Sequence, residues 1–309
     1  MRSDVVFASG GLDCKGWLYL PEGCAAEQKL PAVAMAHGFS AVKEMALAGF
    51  AERFAAAGLA VLVFDFRHLG ESQGEPRGQV FPQQQQEDYR NAISWLARRP
   101  EVDPERIGAW GTSFSGGHVL HLAAFDRRIK AAVVQVPAIS VWRAFLQASG
   151  GEASEENQGR AVLQGLLGML RADRDARFES GAVNTLAVVA PPGEMSVLGV
   201  PDAYEWFQKH VVSSAPTWIN RVTVESLERM VEYDPAGAIE LISPTPLLMI
   251  LAENDSLLSL DLAREAFARA GDPKRLELLA CGHFDVYATE PWFSRAAGAA
   301  ADWFRTHLG

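Results

Sequence analysis

Cysteine is scarce in this chain. Its 309 residues include only Cys14, Cys24 and Cys281, with no C-x-x-C spacing. An odd count without that spacing suits a reducing compartment. Long apolar runs are missing as well. The richest, PLLMILA from Pro246 to Ala252, is far too short to cross a bilayer. The opening MRSDVVFASG lacks a basic segment followed by an apolar one, so no secretory signal is expected. Basic charge is in deficit, 28 Lys and Arg against 38 Asp and Glu, for a net charge of -10. An acidic chain repels phosphate backbones, so nucleic acid is not an expected partner. There is no internal repeat, and the QQQQ at Gln83 to Gln86 is too short to be a low-complexity tract. The expectation is a soluble, cytoplasmic protein with no membrane partner, and a homodimer is compatible with it.

What is present is ordinary globular composition, 49% hydrophobic and 21% charged. VVFAS (Val5 to Ser9) and WLYL (Trp17 to Leu20) predict two short strands around the turn pair Gly10-Gly11. AVAMAH (Ala32 to His37), AVLVFDF (Ala60 to Phe66), RIGAW (Arg106 to Trp110) and AAVVQV (Ala131 to Val136) are the next strand candidates. Three of these are continuous apolar runs, which suit strands buried on both faces. Helical spacing lies between them, from Glu44 to Ala57 and from about Gln83 to Arg98. Such alternation predicts βαβ units and a mostly parallel sheet with helices on both faces. The rhythm stops over residues 138–243. That stretch carries Trp142, Phe145, Leu163, Leu166, Leu167, Met169, Leu170, Trp206, Phe207 and Trp218, with polar breaks at SGGEASEENQG and PPGE. It is expected to be a mostly helical cap inserted into a core made of residues 1–137 and 244–309. The sheet pattern resumes with LLMILAE (Leu247 to Glu253), a helix near Leu260 to Ala270, RLELLA (Arg275 to Ala280) and a terminal helix from about Pro291 to His307.

The stretch WGTSFSGGH, Trp110 to His118, joins a predicted strand to a predicted helix. It nearly contains G-x-S-x-G, with Ser115 in place of the second glycine. The residues two before and two after a serine on such a turn must be small, because strand and helix almost touch there. Gly111 and Ser115 qualify, which makes Ser113 the nucleophile candidate. The rival register, with Ser115 as nucleophile, would run the strand on through Gly111, and glycine weakens a strand interior. Ser115 instead suits a helix N-terminus. The turn resembles the nucleophile elbow of α/β-hydrolases, where the order along the chain is serine, acid, histidine. Of seven histidines, only His283 lies after the last predicted strand and before the terminal helix. Taken alone it would be a loop histidine; the chain order makes it the candidate base. LLMILAENDS offers Glu253 and Asp255 as the acid. Asp255 is favoured because a loop carboxylate can reach a histidine, and Asp285 is a weaker third. Oxyanion donors are expected from the N–H of Phe114 and from the turn HGFS, with Phe39 preferred and Ser40 in reserve. His37 is read as structural.

Five segments in this order resemble the α/β-hydrolase superfamily: HGF at 37–39, DFRHLGESQG from Asp65, RIGAWGTSFSGG from Arg106, LAEND, and CGHFDVY from Cys281. The nearest likeness is to the dienelactone-hydrolase and X-Pro dipeptidyl-peptidase (S15) branch, which includes bacterial hydrolases and fungal polyketide transferases. The chain departs from dienelactone hydrolases proper, which use cysteine, and from true S15 peptidases, which add a large β-domain. The resemblance places Asp65, Arg67, Gly70 and Ser72 in a structural turn. It implies a serine hydrolase of carboxylesterase or thioesterase type. Ser113, His283 and Asp255 would act on an ester, thioester or lactone, and the substrate would be a small acyl molecule. No metal or organic cofactor is required. Acyl transfer by the same triad, peptidase activity and a non-catalytic binding role are the alternatives.

Overall fold

The chain is described by a computed structural model over residues 1–23, 29–147 and 153–309. β1 (Arg2–Ser9) and β2 (Leu12–Tyr19) form an antiparallel hairpin with Ser9 opposite Leu12. Gly10 and Gly11 turn it at φ 56° and 80°, the left-handed pair that a two-residue hairpin requires. The strand expected at Trp17 starts earlier, at Leu12. Its polar first half is held because β1 pairs along its whole length. The apolar runs then become β3 (Leu30–Ala36) and β4 (Ala60–Phe64), every residue of both buried. Between them lies α1 (Leu47–Ala56), shorter than the spacing from Glu44 predicts. The difference has a local cause. Lys43 N–H donates to Asp65 Oδ1 at 2.7 Å, and Ala46 turns left-handed at φ 61°, so the helix cannot start sooner.

α2 (Pro82–Leu96) follows, opened by a proline whose missing N–H costs nothing at that position. β5 (Val102–Thr112) runs past the expected break at Asp103-Pro104, with a register shift marking the irregularity. α3 (Phe114–Phe125) and β6 (Ile129–Gln135) complete the first part. Within 138–243 come α4 (Val141–Gln147), α5 (Ala153–Ser180), β7 (Thr185–Leu186), α6 (Pro201–Ser213), β8 (Val222–Thr223), α7 (Val224–Val231) and a short 3₁₀ turn at Ile239–Ile242. The small β7–β8 ladder was not expected from sequence, because two residues per strand leave no periodicity to read. The polar stretch expected to break this region at Ser149–Gly159 is helical from Ala153. Its first residues, 149–152, lie outside the described residues. β9 (Leu247–Ala252), α8 (Leu260–Arg269), β10 (Lys274–Leu279), α9 (Asp285–Ala288) and α10 (Trp292–Leu308) close the chain.

The sheet has eight strands in the order β1-β2-β4-β3-β5-β6-β9-β10. Within this sheet, among the described residues, only the β1–β2 and β2–β4 pairings are antiparallel. Alternation divides each strand between two cores even where all its residues are buried. Ala32, Ala34, Leu62 and Phe64 belong to the core under α2, α3 and residues 138–243; Val33, Met35, Val61 and Val63 belong to the one under α1 and α10. The parallel strands all end on one side, and the loops after β3, β5, β9 and β10 gather there. That edge is where an open α/β sheet offers a ligand site.

A buried polar chain ties α3 to the 138–243 region. Gln86 Nε2 donates to Tyr233 Oη at 2.8 Å, Tyr233 Oη meets His118 Nδ1 at 3.0 Å, and His118 Nε2 meets Gln85 Oε1 at 2.9 Å. An amide oxygen can only accept, so Nε2 carries the proton and Nδ1 accepts from the tyrosine. His118 is therefore neutral. Burial pushes its pKa down to about 3, with His121 and His37 adding to the effect. The unfolded chain takes up that proton near pH 6.5, so stability present above 6.5 is lost as pH falls toward the folded value. His118→Gln is expected to flatten the stability profile between pH 6 and 4 by about 1.4 kcal/mol per pH unit. Urea melts of both proteins across that range check it; parallel profiles would refute it.

Candidate active site

Ser113 sits between the end of β5 and the start of α3, at φ 53° and ψ -118°. A left-handed serine costs energy and persists only where its surroundings enforce it. Here they do. Ser113 N–H donates to Gln135 O at 2.9 Å, and its carbonyl accepts from Ala138 N–H at 2.9 Å. The turn is tight on both flanks. A Cβ on Gly111 would stand 2.3 Å from Ser115 O, and one on Gly38 would stand 3.0 Å from Ser113 Cβ. Ser115 has a different part. It is fully buried. Its Oγ donates to Ala36 O at 2.8 Å and accepts from Thr112 N–H at 2.9 Å. A serine here ties β3 to the elbow, which a glycine could not do.

The candidate acid and base lie just past the ends of β9 and β10. His283 follows β10 on a turn whose Gly282 N–H donates to Asp285 Oδ2 at 2.8 Å. Asp285, the weaker acid candidate, thus holds the turn. Asp255 lies past β9. Its Oδ2 accepts from His283 Nδ1 at 2.8 Å, and its Oδ1 accepts from Leu257 N–H at 2.9 Å and Leu258 N–H at 2.7 Å. The two side chains are 1% and 5% exposed, so little water competes for the pair. Glu253 is exposed, and it is Asp255 that bonds His283. Ser113 and His283 line one crevice, together with His37, Trp206, Phe284 and Tyr287.

Phe39 and Phe114 flank the serine with rings in edge contact, centroids 5.8 Å apart. As first residue of α3, Phe114 keeps an N–H that a helix leaves without an intrahelical partner. Phe39 N–H makes no backbone hydrogen bond among the described residues. Its loop is clamped from both sides. Trp218 Nε1–H donates to Ser40 O at 2.8 Å. On the other side the Lys43 ammonium lies 2.9 Å from Asp65 Oδ2, 3.1 Å from Glu44 and 2.5 Å from Glu71. These three carboxylates are close enough to share a cation, and that cation is Lys43. Asp65 also accepts from Glu71 N–H, and Ser72 Oγ donates to Asp65 O at 2.7 Å. Arg67, in the same turn, pairs with Asp88 of α2. His37 Nδ1 donates to Gly38 O at 3.0 Å, and burial lowers its pKa to about 4. Cys14 and Cys281 are buried, burial pushes the Cys281 thiol up to about 11, and Cys24 lies outside the described residues.

Two cavities meet at the serine. The crevice beside His283 is small, about 30 Å³. The other is large, about 700 Å³, and runs under α4, α5 and α7. Phe39, Ser113, Leu198 and Leu257 line both. The large cavity is walled by residues such as Ile139, Leu166, Met169, Val197, Leu227 and Leu262, and no charged side chain is among its described lining. Of the ten apolar residues singled out in 138–243, Leu166 and Met169 face the large cavity and Trp206 and Phe207 the crevice. Trp142 is exposed, and the Phe145 side chain lies outside the described residues. Ser140 also lines the large cavity, and sequence carried no signal for it, since which loop faces a cavity is settled only by packing.

A parallel sheet with a serine on a strained strand–helix turn defines an α/β-hydrolase. Within that class the chain belongs to the X-Pro dipeptidyl-peptidase (S15) family, whose model matches residues 13–226. It is similar to the quorum-quenching protein AidA of Acinetobacter baumannii, 31% identical over 93% of this chain and 89% of the relative. It is also similar to the thiohydrolase aneE of Aspergillus aculeatus, 32% identical over 89% of this chain and 84% of the relative. Among solved structures, the α/β hydrolase GrgF from Penicillium sp. sh18 matches with a TM-score of 0.82 at 28% identity, covering 100% of this chain and 99% of that one. No helix among the described residues is long and apolar enough to cross a membrane.

Proposed function

We propose that the protein is a serine hydrolase acting on an uncharged ester, thioester or lactone through an acyl-enzyme. The observation that carries this reading is Ser113 on its left-handed turn at the meeting of the two cavities, with the Asp255–His283 pair beside it. Asp255 holds the proton on His283 Nδ1, which leaves Nε2 to take the proton of Ser113. Ser113 Oγ attacks the carbonyl carbon, and the N–H groups of Phe39 and Phe114 bind the oxygen that becomes negative. His283 then gives its proton to the leaving alcohol or thiol. The bond to the leaving group breaks, and water enters by the same route to release the acid. The acyl chain lies in the large cavity, on the oxyanion side. Residues 138–243 roof that cavity and act as a cap that sets acyl preference. The leaving group and the water use the crevice at His283.

The family takes its name from a peptidase, but these cavities suit a different substrate. An X-Pro dipeptide carries an ammonium group, which needs a carboxylate to receive it. The described lining of both cavities holds no Asp or Glu. Acyl transfer is the second reading, favoured by similarity to the polyketide transferase grgF of Penicillium sp, 30% identical over 92% of this chain. A fluorophosphonate probe tests the hydrolase reading. It is expected to label folded protein at Ser113, located by peptide mass; failure to label, or labelling elsewhere, overturns it. Product analysis with and without an added alcohol separates hydrolysis from transfer.

A further inference from the structure

The large cavity is buried at one end and exposed at the other. Beside the serine its lining is closed in: Phe39, Phe114 and Ala138 are all buried. Three of its described lining residues are exposed, Val162 at 58%, Met195 at 76%, and Gly165. Two of the three belong to α5. Val162, Gly165, Leu166 and Met169 line the cavity at positions i, i+3, i+4 and i+7, which is one face of a helix. Burial deepens along that face. Val162 and Gly165 are exposed, Leu166 and Met169 are half-buried, and Leu170, next in the chain, is buried. The cavity therefore runs from the buried elbow to the molecular surface at the first half of α5.

Gly165 stands on that rim. Its φ is not in the left-handed region, and a Cβ built on it would meet nothing within 4 Å. Neither the backbone nor a neighbouring atom requires glycine there, and glycine is a poor helix former. What glycine does at this position is leave the rim without a side chain. Val162 and Met195 beside it are large, apolar and exposed, the mark of a surface that an apolar ligand covers. We infer that the acyl chamber is open at its far end, that Gly165 is the specificity-determining residue keeping it open, and that the substrate is an acyl group whose far end projects past Gly165 into solvent. That group is a chain longer than the chamber, or one with a bulky terminal substituent. The inference rests on the assignment of the large cavity to the acyl group. It replaces a chamber that measures its substrate by one that leaves the far end free.

The test uses p-nitrophenyl esters from butyrate to hexadecanoate, each made with a plain end and with a pyrenyl group on the last carbon. For the full-length protein, the capped-to-plain ratio of kcat/KM is expected to rise with chain length and to level off once the pyrenyl group clears the rim. Gly165→Phe should lower the ratio of the long capped esters to plain butyrate by about tenfold or more, the scale of overpacking a filled site. Gly165→Ala, which adds little bulk, should retain most of that ratio. Three results overturn the inference: a cap rejected at every length, a ratio that Gly165→Phe leaves unchanged, or an equal loss on butyrate and on the long capped esters. Thermal melting confirms that the variants are folded. The matching pyrenyl methyl ketones read the same geometry by binding alone. At the lengths where capped esters are accepted, the bound pyrene is expected to be quenched by iodide, and pyrene shielded at every length overturns the inference. If no ester is turned over, the serine-hydrolase reading fails while the ketones still decide whether the chamber is open.

Discussion

Ser113→Ala is expected to lose hydrolysis of a p-nitrophenyl ester by a factor on the order of 10⁴ to 10⁶ while remaining folded. The size follows from the removed step. On the proposed mechanism, no acyl-enzyme forms without Oγ, and only binding and the two proposed oxyanion donors act on a direct attack by water. The fold should tolerate the change. The bonds that hold the elbow run through the main chain of Ser113, to Gln135 and from Ala138, and alanine keeps them. Ser115 is the contrasting position. Its side chain bridges Ala36 O and Thr112 N–H in a fully buried site, so Ser115→Ala should cost about 1–3 kcal/mol of stability. It should cost far less rate. Steady-state kinetics and thermal melts on the two variants decide the matter. A Ser113→Ala protein with more than a tenth of the parent rate would end the assignment.

Asp255→Asn should lower kcat by about 10³- to 10⁴-fold, and Glu253→Gln should leave it within about twofold. The argument is one of proton placement. Asp255 Oδ1 accepts two backbone N–H bonds, and asparagine can keep those by presenting its oxygen. Its NH₂ then faces His283 Nδ1. A donor there forces Nδ1 to accept and moves the imidazole proton to Nε2, where it can no longer receive the proton of Ser113. The geometry survives and the tautomer is wrong. Glu253 lies two residues earlier, exposed, with no part in the pair. Equal losses in the two variants, or the greater loss at Glu253, would reverse the choice between them.

The parallel core was legible because its signal is local. Runs such as AVLVF leave no polar face, and only a strand covered on both sides can hold them. The elbow was legible for a related reason: its steric demand falls on Gly111 and Ser115, within two residues of Ser113. Chain order then singled out His283 among seven histidines. The choice between Glu253 and Asp255 was a preference on sequence alone, since both carboxylates lie within reach of a loop.

Tertiary structure decided what depends on residues far apart in the chain. The bond between Asp255 and His283 spans 28 positions, and it exists because β9 and β10 are adjacent and parallel and end at the same level. The missing glycine of GTSFSGG is explained only by Ala36, the last residue of β3, whose carbonyl Ser115 binds across 79 positions. Residues 138–243 show the limit most plainly. Their aromatic and aliphatic side chains announce packing but not its partner, because hydrophobic burial is not directional. Only the fold shows that Leu166 and Met169 turn to the large cavity and that Trp206 turns to the crevice.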